Sequence, residues 1–498
     1  MDGQATHDMN PVPFTRTPVR FAPDPDRVIT RPYLPGEEIF PDGRSRVELI
    51  IKRILDMPES EVASTLAATQ DQFTHRHTGF GSILERNFAV VAHHVDNPTD
   101  LSQERRLLIG AYFTQEYSIE AAALSNPSMV PAPDQSGLNP GEQRFIMSLR
   151  AIGEGHLSSI EFRSGVIDAR GQIMMDEPSR YAMTGNRTTP LYDKHAFSTK
   201  LEELGAFDDI TRRCLEPLPA HFTFEQLEAA IVHLDQQGMD PAIAHQTITT
   251  IHWLASSNYA STFPADSDIS ERVIFPAGPT ESRGMEDARF VRFTHDDGTV
   301  VYFATYTAFG ETQILPQLVE TPDFVSFRIA TLNGSAAHNK GMALFPRKID
   351  GRYAALSRHD KENNHLMLSD DVRFWGETEK IQIPDRPWEL VQIGNCGSPL
   401  ETEAGWLVIT HGVGPMRQYT LGAILLDGQD PCRVIGHLPE PFLAPNADER
   451  DGYVPNVVYS CGSMIHGNLL VVPYGFSDSG AGIATASLDD LLTRLTEK

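Results

Sequence analysis

Gly284-Met285-Glu286-Asp287-Ala288-Arg289-Phe290 leads, after a polar turn, into the apolar run Val300-Val301-Tyr302-Phe303-Ala304-Thr305-Tyr306-Thr307. Both stretches read as strands. The first sets two adjacent carboxylates between Arg283 and Arg289. Side chains alternate across a strand, so Glu286 and Asp287 are expected on opposite faces, with Glu286 in a structural pair with Arg289 or Arg283. Taken alone, the stretch is a solvated acidic turn capped by arginines.

The second run has four echoes along the chain: Arg144–Arg150, Arg352–Arg358, Gly405–His411 and Leu470–Phe476. Each is an apolar strand ending in a polar or aromatic group, and each is followed by a second strand. Four of the five units recur at roughly fifty to sixty residues, a period of propellers rather than solenoids. The interval between the first two units is longer. Its surplus has helix-period apolar faces over Phe222–Leu234 and Ala242–Leu254. The expected fold class is therefore mainly β: a five-bladed β-propeller with an N-terminal helical segment and a helical insertion in or after the first blade. A β-sandwich is the alternative, since it also shows short, evenly spaced strands.

The expected organisation is an extended, proline-rich arm over 1–42, an N-terminal helical segment over 43–120, and a propeller over 121–498 with its helical insertion around 195–260. The arm is expected to lie on a surface or on a partner subunit. Helices are expected at Val47–Leu55, Glu61–Phe73 and Ser102–Leu124, the last capped by Thr99-Asp100. The formal net charge of −26 on 498 residues argues against nucleic acid or an anionic membrane as partner. Cys214, Cys396, Cys432 and Cys461 contain no CxxC pair, which suits a reducing compartment, and a cytoplasmic location is expected. No metal is expected: His93-His94 and His75/His77 lack partner ligands at zinc spacing and read as surface or hydrogen-bonded residues.

In a propeller the inner strands line an axis, so the groups ending the echoes should converge. Arg150, Tyr306, Arg358, His411 and Tyr474 would meet Asp287 there, with Lys340 a further candidate. Singly, each has a structural explanation: Arg358 pairing Asp360, His411 hydrogen-bonded in a core, Lys340 solvated. Together, an acid among cations suits an anionic co-substrate beside a proton donor.

Several motifs together resemble glycoside hydrolase family 130, the β-mannoside phosphorylases and related β-mannosidases. They are Gly284–Arg289, Tyr306-Thr307-Ala308, Lys340–Pro346, Gly351–Arg358, Gly405–Gly412, Pro455–Val458 and Pro473–Asp478. Asn126-Pro127 and Leu149-Arg150-Ala151 resemble the family's opening blade. The resemblance implies a five-bladed propeller and an inverting enzyme acting on β-mannosides, with Asp287 as proton donor, acting through a hydroxyl of the bound mannose. Inorganic phosphate is the implied co-substrate, with no other cofactor, and α-mannose 1-phosphate the product. Lys340, Arg358, His411 and Gln392 match the phosphate-binding positions, and Asn126, Arg150, Tyr306 and Asp478 the sugar-binding region.

Gln392 stands where the family's phosphorylases usually carry lysine, and Lys340 where many carry arginine. Glutamine donates a hydrogen bond without charge, and lysine offers a point charge in place of a fork. The alternatives are an inverting β-mannosidase using water, with Glu401 or Asp360 as base, and a non-catalytic propeller that binds glycans or proteins. The expected partners are a β-mannoside and phosphate. The arm and helices also suit contacts in a homo-oligomer.

Overall fold

The computed structural model describes residues 14–36, 43, 45–234, 240–310 and 314–497. Of the expected arm, 1–13 and 37–42 lie outside the described residues, as do 235–239 of the insertion. The chain divides into two compact units, one of the chain up to Pro23, Ala122–Glu177 and Gly185–Lys498, the other of Asp24–Ala121 and Pro178–Thr184.

The larger unit is mainly β, built on five antiparallel sheets. The first runs Ala123–Pro131, Gln143–Ile152, Ser158–Ile167, Arg272–Ile274. In the second, Met285–Thr294, Val300–Phe309, Ile314–Thr321 and Ser326–Thr331 are followed by Tyr259–Thr262. Ala343–Leu344, Tyr353–Ser357, Asn364–Ser369 and Glu379–Gln382 form the third. The fourth is Gln392–Asn395, Gly405–Val413, Tyr419–Leu426 and Val434–His437. The fifth is Val458–Tyr459, Leu469–Phe476, Gly480–Ser487 and Thr15–Phe21. Each echo is thus the second strand of its sheet, not the first. Two of the leading strands, Ala343–Leu344 and Val458–Tyr459, have only two residues and are too short to stand out as apolar runs.

These leading strands bring the sheets together. Ala123–Pro131 touches Met285–Thr294 on one side and Leu469–Phe476 on the other. Val300–Phe309 touches Ala343–Leu344, Tyr353–Ser357 touches Gln392–Asn395, and Tyr419–Leu426 touches Val458–Tyr459. Apolar side chains fill the spaces between: Phe303, Leu344 and Met367 between the second and third sheets, Leu356, Trp406 and Ile424 between the third and fourth, Ile409, Leu421 and Val472 between the fourth and fifth. Each fully buried side chain of this size contributes roughly 1.5–3 kcal/mol. Packing on both faces explains why Gly405–Val413 is buried at every position instead of alternating.

Of the described part of the arm, Thr15–Phe21 is a strand of this unit and Val28–Pro32 a strand of the smaller one. Thr15–Phe21 pairs antiparallel with Gly480–Ser487, with a register shift between Arg16 and Arg20. Pro18 sits inside that irregular stretch of an edge strand, where its missing N–H costs no ladder bond. The insertion holds helices Lys194–Glu203, Asp209–Leu215, Phe224–Val232 and Pro241–Ser256, capped by Asp193, Asp208, Thr223 and Asp240. Phe197, Leu201, Leu227, Ile251 and Leu254 form their common core.

In the smaller unit, helices Arg46–Leu55, Glu59–Phe73, Phe80–Val91 and Gln103–Tyr112 pack around Ile51, Leu66, Leu84, Phe88 and Leu108. The last of these is shorter than the expected Ser102–Leu124. Ser102, not Thr99-Asp100, caps it, and beyond Tyr112 the chain turns into the strand Thr114–Ser118, paired with Val28–Pro32. Tertiary pairing overrides the helical pattern there. Among the described residues no helix is long and apolar enough to cross a membrane.

Candidate active site

Two β-bulges build the centre of the site. Register slips between Ser125 and Ser128 in one leading strand, and between Glu286 and Arg289 in its neighbour. At these slips Asn126 (φ 50°) and Asp287 (φ 54°) take left-handed backbone. Each extra residue re-aims a side chain out of the ladder. The result is a direct contact: Asn126 Nδ2 donates to Asp287 Oδ1 at 2.8 Å, and Ser125 Oγ fixes the Asn126 amide through Oδ1 at 2.8 Å.

The bulge also overturns the expectation for Glu286. It lies beside Asp287 in the same charged cluster, with Arg150 Nη2 on one carboxylate oxygen at 2.8 Å and Lys340 Nζ on the other at 2.6 Å. Neither Arg289 nor Arg283 is its partner. Strict alternation fails because the inserted residue shifts the face of everything after it. Arg289 is instead buried beside Asp287, its Nη2 3.5 Å from Oδ2 and donating to the Tyr459 hydroxyl at 2.7 Å.

The turn before the bulge is tightly held. Gly284 (φ 111°) fits only as glycine, since a Cβ would fall 2.4 Å from Ser158 Oγ, the hydroxyl that donates to the Met285 carbonyl. The fully buried Glu281 accepts from the Ala277 N–H at 2.7 Å and from the Tyr259 and Tyr306 hydroxyls. Tyr306 therefore stands apart from the site, fully buried with its hydroxyl spent on Glu281. Tyr474 departs in the same way, buried and donating to Glu449 at 2.6 Å.

Arg358 and His411 are brought together from adjacent sheets. Arg358 Nη1 lies 3.2 Å from His411 Nε2. A guanidinium only donates, so Nε2 accepts and the imidazole is neutral with its proton on Nδ1, which faces Cys396 Sγ at 3.9 Å. Burial, followed by the charges of Arg358 and Arg289, holds His411 well below the usual imidazole range. Gly394, paired across the ladder with His411, leaves room for both: a Cβ there would lie 2.5 Å from the imidazole and 3.3 Å from Arg358 Cδ. Gln392 begins the same short strand, its amide reaching the Tyr419 hydroxyl at 3.5 Å. The side-chain Nε atoms of Arg150, Arg289 and Arg358 are buried without a hydrogen-bond partner among the described residues.

Asp478, at a tight turn with Ser477 (φ 47° and 49°), completes the cluster. Burial pushes its carboxyl up; Arg150 opposes this, while Asp287 and Glu286 add to it. The expected residues Asn126, Arg150, Asp287, Lys340 and Asp478 are thus linked by bonds or by field with the unexpected Glu286, and Arg358, His411 and Gln392 form the adjoining basic side. Sequence reading missed Tyr459 and the position of Arg289. A two-residue strand gives Tyr459 no pattern to read, although Arg289 lay within the opening motif. The proposed water-activating bases sit elsewhere: Glu401 pairs Arg347 at 2.6 Å, and Asp360 pairs His365 at 3.0 Å and Lys380 at 3.4 Å. No group of three or more His, Cys, Asp or Glu suited to a metal occurs among the described residues.

A family model described as beta-1,4-mannooligosaccharide phosphorylase matches residues 256–497. The chain is 34% identical over 216 residues to 1,2-beta-oligomannan phosphorylase of Thermoanaerobacter sp. (strain X514), covering 42% of this chain and 71% of that protein. It is 31% identical over 230 residues to beta-1,2-mannobiose phosphorylase of Listeria innocua, covering 45% of this chain and 63% of the relative. Among solved structures, the Listeria innocua beta-1,2-mannobiose phosphorylase complexed with beta-1,2-mannobiose aligns with TM-score 0.44 at 20% identity, over 76% of this chain and 93% of that one. The motif run and the extent of these matches agree, and the chain belongs to glycoside hydrolase family 130.

Proposed function

We propose that the protein is an inverting phosphorylase of β-mannosides, and that its five sheets are the blades of a five-bladed propeller with the site at their shared axis. The observation that carries the reading is the division of the site: a carboxylic acid held by Asn126 on one side, and the guanidinium of Arg358, its buried Nε without a partner among the described residues, beside neutral His411 on the other. An ordinary inverting hydrolase needs a second carboxylate to activate water. Here Glu401 and Asp360 are engaged elsewhere, and Glu286 is tied at both oxygens.

In the proposed reaction a β-mannoside binds with its non-reducing mannose against Asn126, Arg150 and Asp478. Asp287 gives up its proton, relayed by a mannose hydroxyl to the glycosidic oxygen, and the C1–O bond breaks. A phosphate oxygen, steered by Arg358, Lys340 and Gln392, forms the new bond to C1 from the opposite face. The products are α-mannose 1-phosphate and the shortened sugar. His411, neutral, passes a hydrogen bond rather than a charge and sets the Arg358 fork. Cations aimed where the dianion attacks stabilise the charge that moves in the transition state. A cytoplasmic site of action, where phosphate and reduced thiols coexist, suits this chemistry.

The test is NMR of β-1,2- and β-1,4-mannobiose incubated with enzyme and phosphate. Appearance of the α anomer of mannose 1-phosphate is expected. Release of β-mannose 1-phosphate would remove inversion, and release of mannose alone would remove phosphorolysis.

A further inference from the structure

At the turn that carries Asp478 stands an aromatic pair that the reaction does not use. Tyr453 is 69% exposed, yet its position is fixed on both sides. Gly452 packs so closely on the Asp478 turn that a Cβ would fall 2.4 Å from the Ser477 carbonyl oxygen, and the Val454 N–H donates to that oxygen at 3.0 Å. His156 stacks on the ring, with centroids 5.4 Å apart and planes inclined by 24°. His156 itself takes left-handed backbone (φ 61°) in the turn that follows the strand of Arg150. The pair thus spans the ends of the two strands that supply Arg150 and Asp478. Left-handed backbone is strained at a non-glycine residue, and it recurs here at Asn126, Asp287, Ser477 and Asp478.

Resting on the phosphorylase reading, we propose that Tyr453, backed by His156, is a stacking platform for the sugar on the leaving-group side of the cleaved bond. The imidazole stacks against the ring, and most of the ring's surface remains exposed. A pyranose presents an apolar C–H face to such a ring while its hydroxyls remain in water, as suits a partner beside an acidic, hydrated rim. Arg417, also in left-handed backbone at a neighbouring turn and within electrostatic reach of Asp478, offers donors to those hydroxyls. The bound moiety is a hexopyranose, the reducing-side mannose of the substrate or an acceptor sugar in the reverse direction.

The reverse reaction separates the two sides of the site, since mannose 1-phosphate occupies the donor side and the acceptor sugar the other. Tyr453→Ala is expected to raise the acceptor KM about tenfold, equivalent to about 1.4 kcal/mol, with the KM for mannose 1-phosphate within twofold of wild type. Tyr453→Phe should restore the acceptor KM, because the ring face and not the hydroxyl does the stacking. An unchanged melting temperature for Tyr453→Ala verifies the fold. An unchanged acceptor KM, or an equal rise in both KM values, would overturn the platform. Absence of turnover by the wild-type protein in both directions would instead overturn the phosphorylase reading beneath it.

Discussion

At Asp287, a left-handed backbone, a neighbouring amide and a buried arginine act on one carboxyl group. Asp287→Asn keeps the shape and the Asn126 contact but removes the transferable proton. Turnover should fall by at least about 100-fold, up to about 10,000-fold, with the melting temperature nearly unchanged; steady-state kinetics and calorimetry check both. His411 makes a second residue-scale prediction, on pH. Burial, followed by the charges of Arg358 and Arg289, disfavours its protonated form in the folded state, whereas in the unfolded chain it protonates as pH falls through about 6.5. The unfolded state then binds more protons, so this group withdraws stability as pH drops and contributes none of that loss above neutrality. Urea titrations at pH 7 and pH 5 should show a smaller acid loss for His411→Gln than for wild type. An equal loss would mean that His411 titrates alike in both states.

The shortest leading strands are the least legible elements in the sequence, whereas Met285–Thr294 carries its clearest motif. Gly405–His411 and Leu470–Phe476 stand out because eight- and nine-residue buried strands leave long apolar runs. Val458–Tyr459 and Ala343–Leu344 leave none. Hence Asp287, Arg358 and His411 are legible from motifs, whereas Tyr459 is not, and Tyr306 departs from the expectation because its hydroxyl is taken by the buried Glu281. The reversal of Glu286 is a matter of one inserted residue, which no hydrophobic pattern records. Gly394 tests the packing logic of these short strands. Gly394→Ala drives a methyl group into His411 and Arg358, so it should raise the phosphate KM about tenfold or more and lower stability by about 1–3 kcal/mol. Phosphate-dependent initial rates and urea unfolding measure the two effects. Binding of the mannoside should change far less.

For the molecule as a whole, the described N-terminal strand joins the last sheet, so the two ends of the larger unit are zipped together. The fastening is partly ionic: Arg16 lies 2.7 Å from Glu449, which is 2% exposed and also accepts from Tyr474. Arg16→Met removes the nearer cation from that buried carboxylate and should lower stability by about 3 kcal/mol. Arg20, 3.7 Å from the same carboxylate but 42% exposed, should matter little on substitution, about 0.5 kcal/mol or less. Equal losses in urea denaturation would show that the pairing is not what fastens the strand. In the sequence this strand reads as part of an extended arm, because seven residues with a central proline carry no strand pattern until a sheet edge is there to receive them.

The central claim is that phosphate, not water, attacks the mannosyl carbon. Its most direct test is the initial rate of β-mannobiose cleavage as phosphate is raised from zero to millimolar levels, with mannose 1-phosphate and free mannose counted separately. Saturable dependence on phosphate, with one mannose 1-phosphate formed for each mannose released, is the predicted result. Two mannoses per bond broken, at a rate indifferent to phosphate, would contradict it.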